Sequence, residues 1–501
     1  MSSSRVIVVG AGPTGLALAA ELAGFGVACL VVERRTERAP LSRAFTVEPR
    51  TMELLDMRDR AGGMLAGGLP CTHPPVGDRN GYLDYGLLDT PFPYSLTIPQ
   101  HRTEAVLQAS AEAAGAEIRT GVEAVALRQD GDGVEIDLRG PHGRTTTERA
   151  DYLVGCDGVH STVRAAAGID FEGWNYDESA MMGDVRLGRP PEPRAFARIT
   201  RRGMAAVFPF ADDTYRVIVF DHRKTALPAD VPLELADLRE SCTAILGVDI
   251  EPHDPVWLSR FRSSQRHAQR YRAGRVLLAG DAAHTHIPSG GQGLQTGIQD
   301  AFNLGWKLRA RLEGWAPDGL LDSYEAERHP IAADTLRKTD LSFRFETSNG
   351  LVARVVRQVV MKLVRIRPLQ RVNLEHLSGL TLRYPRGDGG AWVGRRVPDR
   401  PLVSGPHGAA RLYELFRDGR FVLLGPDGSS TGAVDGWVDR VRTAVPAAGP
   451  GRGCPPFVLV RPDGHVAWAG RTTTELPAAL RRWCGAPLTA DAGSTPSAVG
   501  G

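Results

Sequence analysis

Short apolar runs alternate with glycine-rich turns along the first third of the chain. Val6–Val9 has the length of a strand buried in a parallel sheet. It leads through Gly10-Ala11-Gly12-Pro13-Thr14-Gly15 into a segment that reads as helix to about Ala23. Ala28–Val32 is the next run and ends at Glu33. Arg50–Met57 reads as helix, Gly62–Pro75 as loop, and Thr103 opens a helix that ends near Ala114. Glu117–Thr120, Val122–Arg128 and Val134–Leu138 alternate as strands, with a hairpin turn at Gly131-Asp132-Gly133. Tyr152–Gly155 is a further buried strand, followed by Cys156-Asp157-Gly158.

From Met181 to Arg262 the pattern changes to Phe196–Thr200, Met204–Phe208 and Tyr215–Phe220, joined by polar turns. These predict an antiparallel sheet inserted between two parts of an α/β unit, with Pro252–Phe261 bringing the chain back. Met204, Phe208, Phe210 and Phe220 either face a substrate from this sheet or pack its core. Val276–Ala279 predicts another buried strand, and Leu294 to about Ala310 a helix with Ile298, Phe302, Leu304 and Leu308 on its apolar face. Leu351–Ile366 is amphipathic: Val352, Val355, Val356, Val359, Val360 and Leu363 share one face, and Arg354, Arg357 and Arg365 the other. The expected arrangement packs the valines and solvates the arginines; a membrane or partner helix is the alternative. A third unit begins at Arg396-Val397-Pro398-Asp399, with strands at Arg420–Leu424 and Phe457–Val460 and a hairpin from Arg461-Pro462-Asp463-Gly464 into His465–Trp468.

The expected fold class is therefore α/β. A Rossmann-like nucleotide-binding domain (1–70, 98–175 and 263–375) is interrupted by an antiparallel sheet (71–97 and 176–262). A third domain (376–486) and a disordered tail (487–501) follow. At 501 residues the chain exceeds a single core. A net charge of +2 offers no broad field for nucleic acid or anionic membrane, and no apolar run approaches the length of a bilayer span. The N-terminus lacks signal-peptide organisation. Six scattered cysteines form no C-x-x-C and no metal spacing, as for free thiols in a reducing cytoplasm. The chain is expected to be cytoplasmic, a monomer or homodimer, with neither nucleic-acid nor membrane partners.

Three glycines between strand and helix, with Glu33 about 20 residues on, form a dinucleotide fingerprint; it does not separate FAD from NAD. Gly280-Asp281 places a carboxylate at a strand's carboxyl end, where open α/β sheets bind ligands. Pro288 stiffens a loop into Ser289-Gly290-Gly291-Gln292-Gly293, and the following helix start offers free N–H groups and a positive dipole end. His284 and His286 are spaced like metal ligands, but no third donor completes a site, so no metal is expected. Ser161 fails the G-x-S-x-G spacing of hydrolases.

GAGPTG with Glu33, Tyr152-Leu153-Val154-Gly155-Cys156-Asp157-Gly158, and Gly280-Asp281…Pro288…Gly291-Gln292-Gly293 resemble the three motifs of single-component, class A flavoprotein monooxygenases. Ser42-Arg43-Ala44-Phe45, Pro49–Leu55, Gln100 and the Phe457–Trp468 ending are similar to the aromatic polyketide hydroxylases and rifampicin monooxygenases. The resemblance implies that Gly10, Gly12, Pro13, Thr14 and Gly15 hold the FAD pyrophosphate, and that Glu33, with Arg34 beside it, binds the adenosine ribose. Arg43 and Gln100 approach the flavin or its ribityl chain, and Asp157 belongs to a motif serving FAD and a transient NAD(P)H. Asp281 contacts the ribityl hydroxyls, Pro288 borders the reactive ring edge, and Gly291, Gly293 and Leu294 present backbone to the pyrimidine side. Gln295 stands where asparagine is commoner. The resemblance also implies that the 1–70, 98–175 and 263–375 domain binds FAD, that the inserted sheet binds substrate, and that the 376–486 domain is thioredoxin-like without C-x-x-C. The implied activity is NAD(P)H- and O2-dependent hydroxylation of a polycyclic aromatic through a flavin C4a-hydroperoxide; no catalytic base is identified. Baeyer–Villiger or antibiotic-inactivating oxygenation, or a flavin-bound protein that no longer oxygenates, are the alternatives.

Overall fold

The computed structural model describes residues 5–38, 44–75, 81–387, 390–448 and 453–488. Arg43 and residues 489–501 of the expected disordered tail lie outside them; the tail's first two residues are described, and the Leu488 N–H donates to the Gly436 carbonyl at 2.7 Å.

The nucleotide unit is built on a six-stranded sheet in the order Arg272–Ala273, Val276–Leu278, Tyr152–Gly155, Val6–Val9, Cys29–Glu33, Glu117–Thr120. All pairings are parallel except the first. Both faces are covered, which is why its strands read as unbroken apolar runs. Helix α1 (Pro13–Gly24) covers one face, with Leu16 to Leu22 wholly buried. Helix α2 (Pro49–Asp56) follows.

Gly62–Pro75, expected as loop, instead forms helix α3 (Ala61–Gly67) and the strand Leu69–Cys71. The glycines of this stretch disguise it. Met64 is fully buried, and Gly63 lies against Val106 of helix α4 (Gln100–Ala113), so packing compensates for poor propensity. Leu69–Cys71 joins Ser95–Thr97 and Thr46–Val47 in a small antiparallel sheet. Helix α4 begins at Gln100, three residues before the expected Thr103, which is buried inside it. An edge strand, Thr145–Ala150, joins the expected hairpin; its outward threonines carried no apolar alternation to reveal it. Helix α5 (Thr162–Ala166) is capped by Ser161.

The inserted sheet runs Phe196–Ile199, Gly203–Pro209, Tyr215–Asp221, Phe171–Leu187, Pro252–Ala268, His284–Thr285, and every pairing is antiparallel. Along Gly203–Pro209 and Tyr215–Asp221 successive residues alternate in side. Val207, Val217 and Val219 pack on helix α6 (Leu235–Leu246), which the reading had not anticipated, whereas Phe208, Ile218 and Phe220 face the opposite way. The last strand, His284–Thr285, comes from the loop after Gly280-Asp281, so the sheet is stitched to the nucleotide unit by backbone pairing.

Helix α7 (Gln292–Leu312) buries Ile298, Phe302, Leu304 and Leu308, as its pattern requires. Helix α8 (Asp322–Thr347) packs beside it. Helix α9 (Leu351–Leu363) reverses the expected orientation: Arg357 is buried while Val352, Val355, Val356 and Val359 are exposed. Helix α10 (Arg367–Leu377) completes the crossing to the third unit. That unit is a five-stranded mixed sheet, Leu402–Ser404, Val441–Pro446, Phe421–Leu424, Phe457–Val460, Val466–Gly470, backed by helix α11 (Leu476–Cys484). Buried charge ties it to the nucleotide unit: Glu327 of α8 receives Lys307 at 2.8 Å and Arg461 at 2.6 Å.

Candidate functional site

The fingerprint glycines have three different reasons to be glycine. Gly10 sits at φ +105°, and a Cβ there would lie 2.4 Å from the Cys156 carbonyl oxygen. A Cβ on Gly15 would meet the Gly10 carbonyl oxygen at 2.0 Å, so strand and helix touch there. A Cβ on Gly12 meets nothing within 4 Å. The open side at Gly12 belongs to a cavity wall, and no side chain caps the start of α1, where Pro13 sits in the first turn. Thr14 is wedged between Gly280 and Gly297, so its side chain also holds α1 against α7.

Glu33 stands at the end of its strand with Oε2 accepting from the Ala11 N–H at 2.9 Å and Oε1 from the Arg35 backbone and guanidinium. Burial works against its charge, but these donors hold its carboxyl below the usual range. Arg34, Gln100, Asp157 and Asp281 all line the same cavity. Gln100 donates to Glu104 at 2.8 Å. The Asp157 oxygens accept from Ser161 Oγ and the Val163 N–H, so this carboxylate organises the start of α5.

Gly290 and Gly291 are both left-handed, which turns the loop from Pro288 into α7. Gly291 is the N-cap, no side chain caps the helix, and Pro288, Gly291, Gly293 and Leu294 line the cavity. Gln295 does not. Its amide donates to the Thr46 carbonyl at 2.8 Å and accepts from the Glu48 N–H at 3.2 Å, tying α7 to the small sheet. His284 is likewise structural: its Nε2 meets Asp300 at 2.7 Å. Asp300, which the sequence did not single out, also accepts from Arg328 at 2.6 Å and from the Gly280 N–H at 3.1 Å. Its full burial opposes ionisation, yet Arg328 and His284 keep its carboxyl below the usual range. His286 Nδ1 donates to the Ile287 carbonyl at 2.9 Å, leaving Nε2 an acceptor without a partner, buried at the cavity wall beside Gly293. Burial lowers this imidazole to about 4, so it is neutral. No group of three or more metal donors occurs among the described residues.

One cavity of about 1640 Å³ unites these residues with the inserted sheet. Met182, Met204, Phe208, Ile218 and Phe220 roof it. Phe45 lies 5.0 Å from Phe208, and Phe343 of α8 meets Phe220 edge-on at 5.5 Å. Phe210, a substrate-facing candidate in the sequence, is not on the wall; it is buried against Phe45 and the Arg216 guanidinium. Two carboxyls that sequence reasoning missed line the wall, Glu48 buried and Glu346 half-buried. Glu48 accepts from Tyr85 at 2.9 Å and Ser95 at 2.6 Å, and burial pushes it up to about 7. Glu346 accepts from Ser342 and Ser289, and burial raises it also. Glu48 belongs to no recognisable motif and its partners Tyr85 and Ser95 lie far along the chain, so nothing in the sequence marked it.

Residues 3–339 match the FAD binding domain family, and residues 390–487 match the family described as aromatic-ring hydroxylase, C-terminal. Rifampicin monooxygenase from Streptomyces venezuelae is 41% identical over 96% of this chain and 98% of its own. Dialkyldecalin synthase from Streptomyces rugosporus is 36% identical over 96% and 99%. The solved structure of the OxyS anhydrotetracycline hydroxylase from Streptomyces rimosus superposes with a TM-score of 0.84 at 40% identity, covering 96% of this chain and 99% of that one. The fold, the two matched families and this full-length likeness agree: the chain belongs to the FAD-dependent aromatic-ring hydroxylases, the single-component flavoprotein monooxygenases.

Proposed function

We propose that this monooxygenase hydroxylates a bulky polycyclic aromatic of the polyketide type, drawing electrons from NAD(P)H and oxygen from O2. The carrying observation is the single cavity. At about 1640 Å³ it exceeds the roughly 300–1,000 Å³ typical of one small-molecule pocket, and one end is a nucleotide cradle while the other is an aromatic vault.

The residues fit FAD. Gly12 leaves room where Gly10 and Gly15 leave none. The uncapped starts of α1 and α7 offer backbone N–H groups, and the orphaned His286 Nε2 offers an acceptor. In this reading Gly10, Gly12, Pro13 and Thr14 hold the pyrophosphate, Gly15 lets α1 pack onto the first strand beside it, and Glu33, with Arg34 beside it, binds the adenosine ribose. Gln100 and Asp281 lie along the ribityl chain, with Arg43 joining them. Pro288, Gly291, Gly293 and Leu294 bear on the ring, and Asp157 supports the strand end shared with a visiting NAD(P)H. FAD held here would supply the redox chemistry that lets one atom of O2 be transferred to the substrate.

The chain's own work is to seat the ring system and keep water out. Phe45, Phe208, Phe220 and Phe343 sandwich aromatic surface, and the sheet-plus-α8 roof encloses it. Glu48, with Tyr85 as its donor, holds or accepts a proton at that wall. We propose a cytoplasmic enzyme, drawing on the NAD(P)H supplied there, with no nucleic-acid partner, as a monomer or homodimer.

A second reading has support in the relatives: a dialkyldecalin synthase shares the full length of this chain. Rapid mixing of the purified flavoprotein with NADPH and O2, with and without polycyclic phenols, separates the two. Ligand-stimulated NADPH oxidation with a product one oxygen heavier is expected; reduction indifferent to every ligand supports the non-oxygenating reading.

A further inference from the structure

Helix α9 is turned against its own amphipathicity. Leu351, Val352, Val355, Val356, Val359 and Leu363 are between 44% and 76% exposed. On the inner side Arg357 is buried, its guanidinium donating to the Ser348 carbonyl and lying over the Phe345 ring. Ile366, Leu369 and Val372 continue the exposed apolar stripe onto α10. Scattered exposed apolar residues are ordinary, but a contiguous stripe of this kind marks a surface that another body covers.

The charge around the stripe says which body. Between Leu351 and Leu377 the chain carries Arg354, Arg357, Lys362, Arg365, Arg367 and Arg371 against one acid, Glu375, which pairs with Arg371 at 2.8 Å, while Asp84 lies 3.9 Å from Arg367. Lys362, Arg365, Arg367 and Arg371 are exposed beside the apolar row. A second copy seated two-fold on this face would set the exposed Lys362, Arg365, Arg367 and Arg371 against the same four cations. An anionic bilayer surface satisfies both features at once: apolar side chains enter the acyl boundary while lysine and arginine reach the headgroups. We propose that α9 and α10 form a peripheral docking surface for anionic phospholipid membranes. The chain's overall charge of +2 conceals this local imbalance, which explains why composition pointed away from a membrane. No helix among the described residues is long and apolar enough to cross one, so contact is limited to the surface.

The position of the surface adds a consequence. Val360, Met361 and Val364, on the inner side of the same helix, line the large cavity. A bilayer on the outer face would therefore lie one helix away from the aromatic vault, and an apolar polycycle dissolved in lipid would meet the enzyme at its wall. The docking itself does not depend on the identity of the substrate.

The test is co-sedimentation of the FAD-loaded, full-length chain with vesicles of phosphatidylcholine alone or mixed with phosphatidylglycerol. Binding to the mixed vesicles, weakened by high salt, is expected, with at least about tenfold less bound to the neutral ones. Val355→Asp with Val359→Asp, both at solvent-facing positions, should abolish sedimentation and leave bound flavin and basal NADPH oxidation unchanged. Lys362→Glu should weaken sedimentation by about tenfold. Failure of the wild-type chain to bind anionic vesicles, or undiminished binding by the double variant, overturns the proposal. So does light scattering that shows a wild-type dimer made monomeric by the double variant without any vesicle binding.

Discussion

Tyr85 donates its hydroxyl proton to Glu48 Oε2 at 2.9 Å within the cavity wall, while Ser95 donates to the other oxygen at 2.6 Å. Burial pushes the Glu48 carboxyl from 4.5 to about 7, and the two hydroxyls pull it only part of the way back. Sequence inspection found no catalytic base; this pair is the best-placed proton-holding group the tertiary structure reveals.

The Glu48 shift has a stability consequence with a definite sign. Between pH 4.5 and about 7 the folded chain keeps a proton that the unfolded chain releases, so stability is full below pH 4.5 and falls as pH rises through 7. At 1.36 kcal/mol per pH unit the swing is about 3 kcal/mol. Glu48→Gln should flatten melting temperature against pH across this window and remove an ionisation near 7 from the activity profile. An unchanged slope would assign the titration to another group.

The fingerprint glycines should separate by function. Gly10→Ala forces a Cβ into the Cys156 carbonyl from a left-handed backbone and should cost several kcal/mol, roughly 3 or more, in the apoprotein. Gly12→Ala meets no atom and should leave the apoprotein melt within about 0.5 kcal/mol while flavin retention drops. Equal effects on melting and on the bound-flavin absorbance would remove the distinction.

Asp300→Asn leaves Arg328 buried without its carboxylate and loosens His284 and the Gly280 turn. Breaking a buried pair this way costs about 3–5 kcal/mol. Denaturant midpoints should fall accordingly and flavin should dissociate, because Asp281 follows directly on the loosened turn. A near-neutral midpoint would show that the cluster relaxes around asparagine.

Phe208 lies on the roof, and Phe208→Trp narrows the vault. For a four-ring phenol KM should rise about tenfold or more, while a single-ring phenol is little affected. Parallel changes for both would place the bulky substrate elsewhere in the cavity.

The nucleotide half of the site was legible because its chemistry is local. Gly10, Gly12, Gly15 and Glu33 act through backbone geometry over one strand–turn–helix unit, and the Pro288–Leu294 loop does the same at the start of α7. Apolar runs that must be buried on both faces announced the parallel sheet for the same reason. Only tertiary packing could decide what depends on distant partners. Glu48 becomes a proton-holding group because Tyr85 and Ser95 close over it, and Gln295 is diverted to Thr46 and Glu48. Phe208 and Phe210, two positions apart and equally apolar in sequence, part company because Arg216 takes one ring as its platform and the cavity takes the other. The valines of α9 follow the same logic: their spacing dictates an amphipathic helix, but which face turns outward is set by the Ser348 carbonyl and the Phe345 ring that hold Arg357 inside.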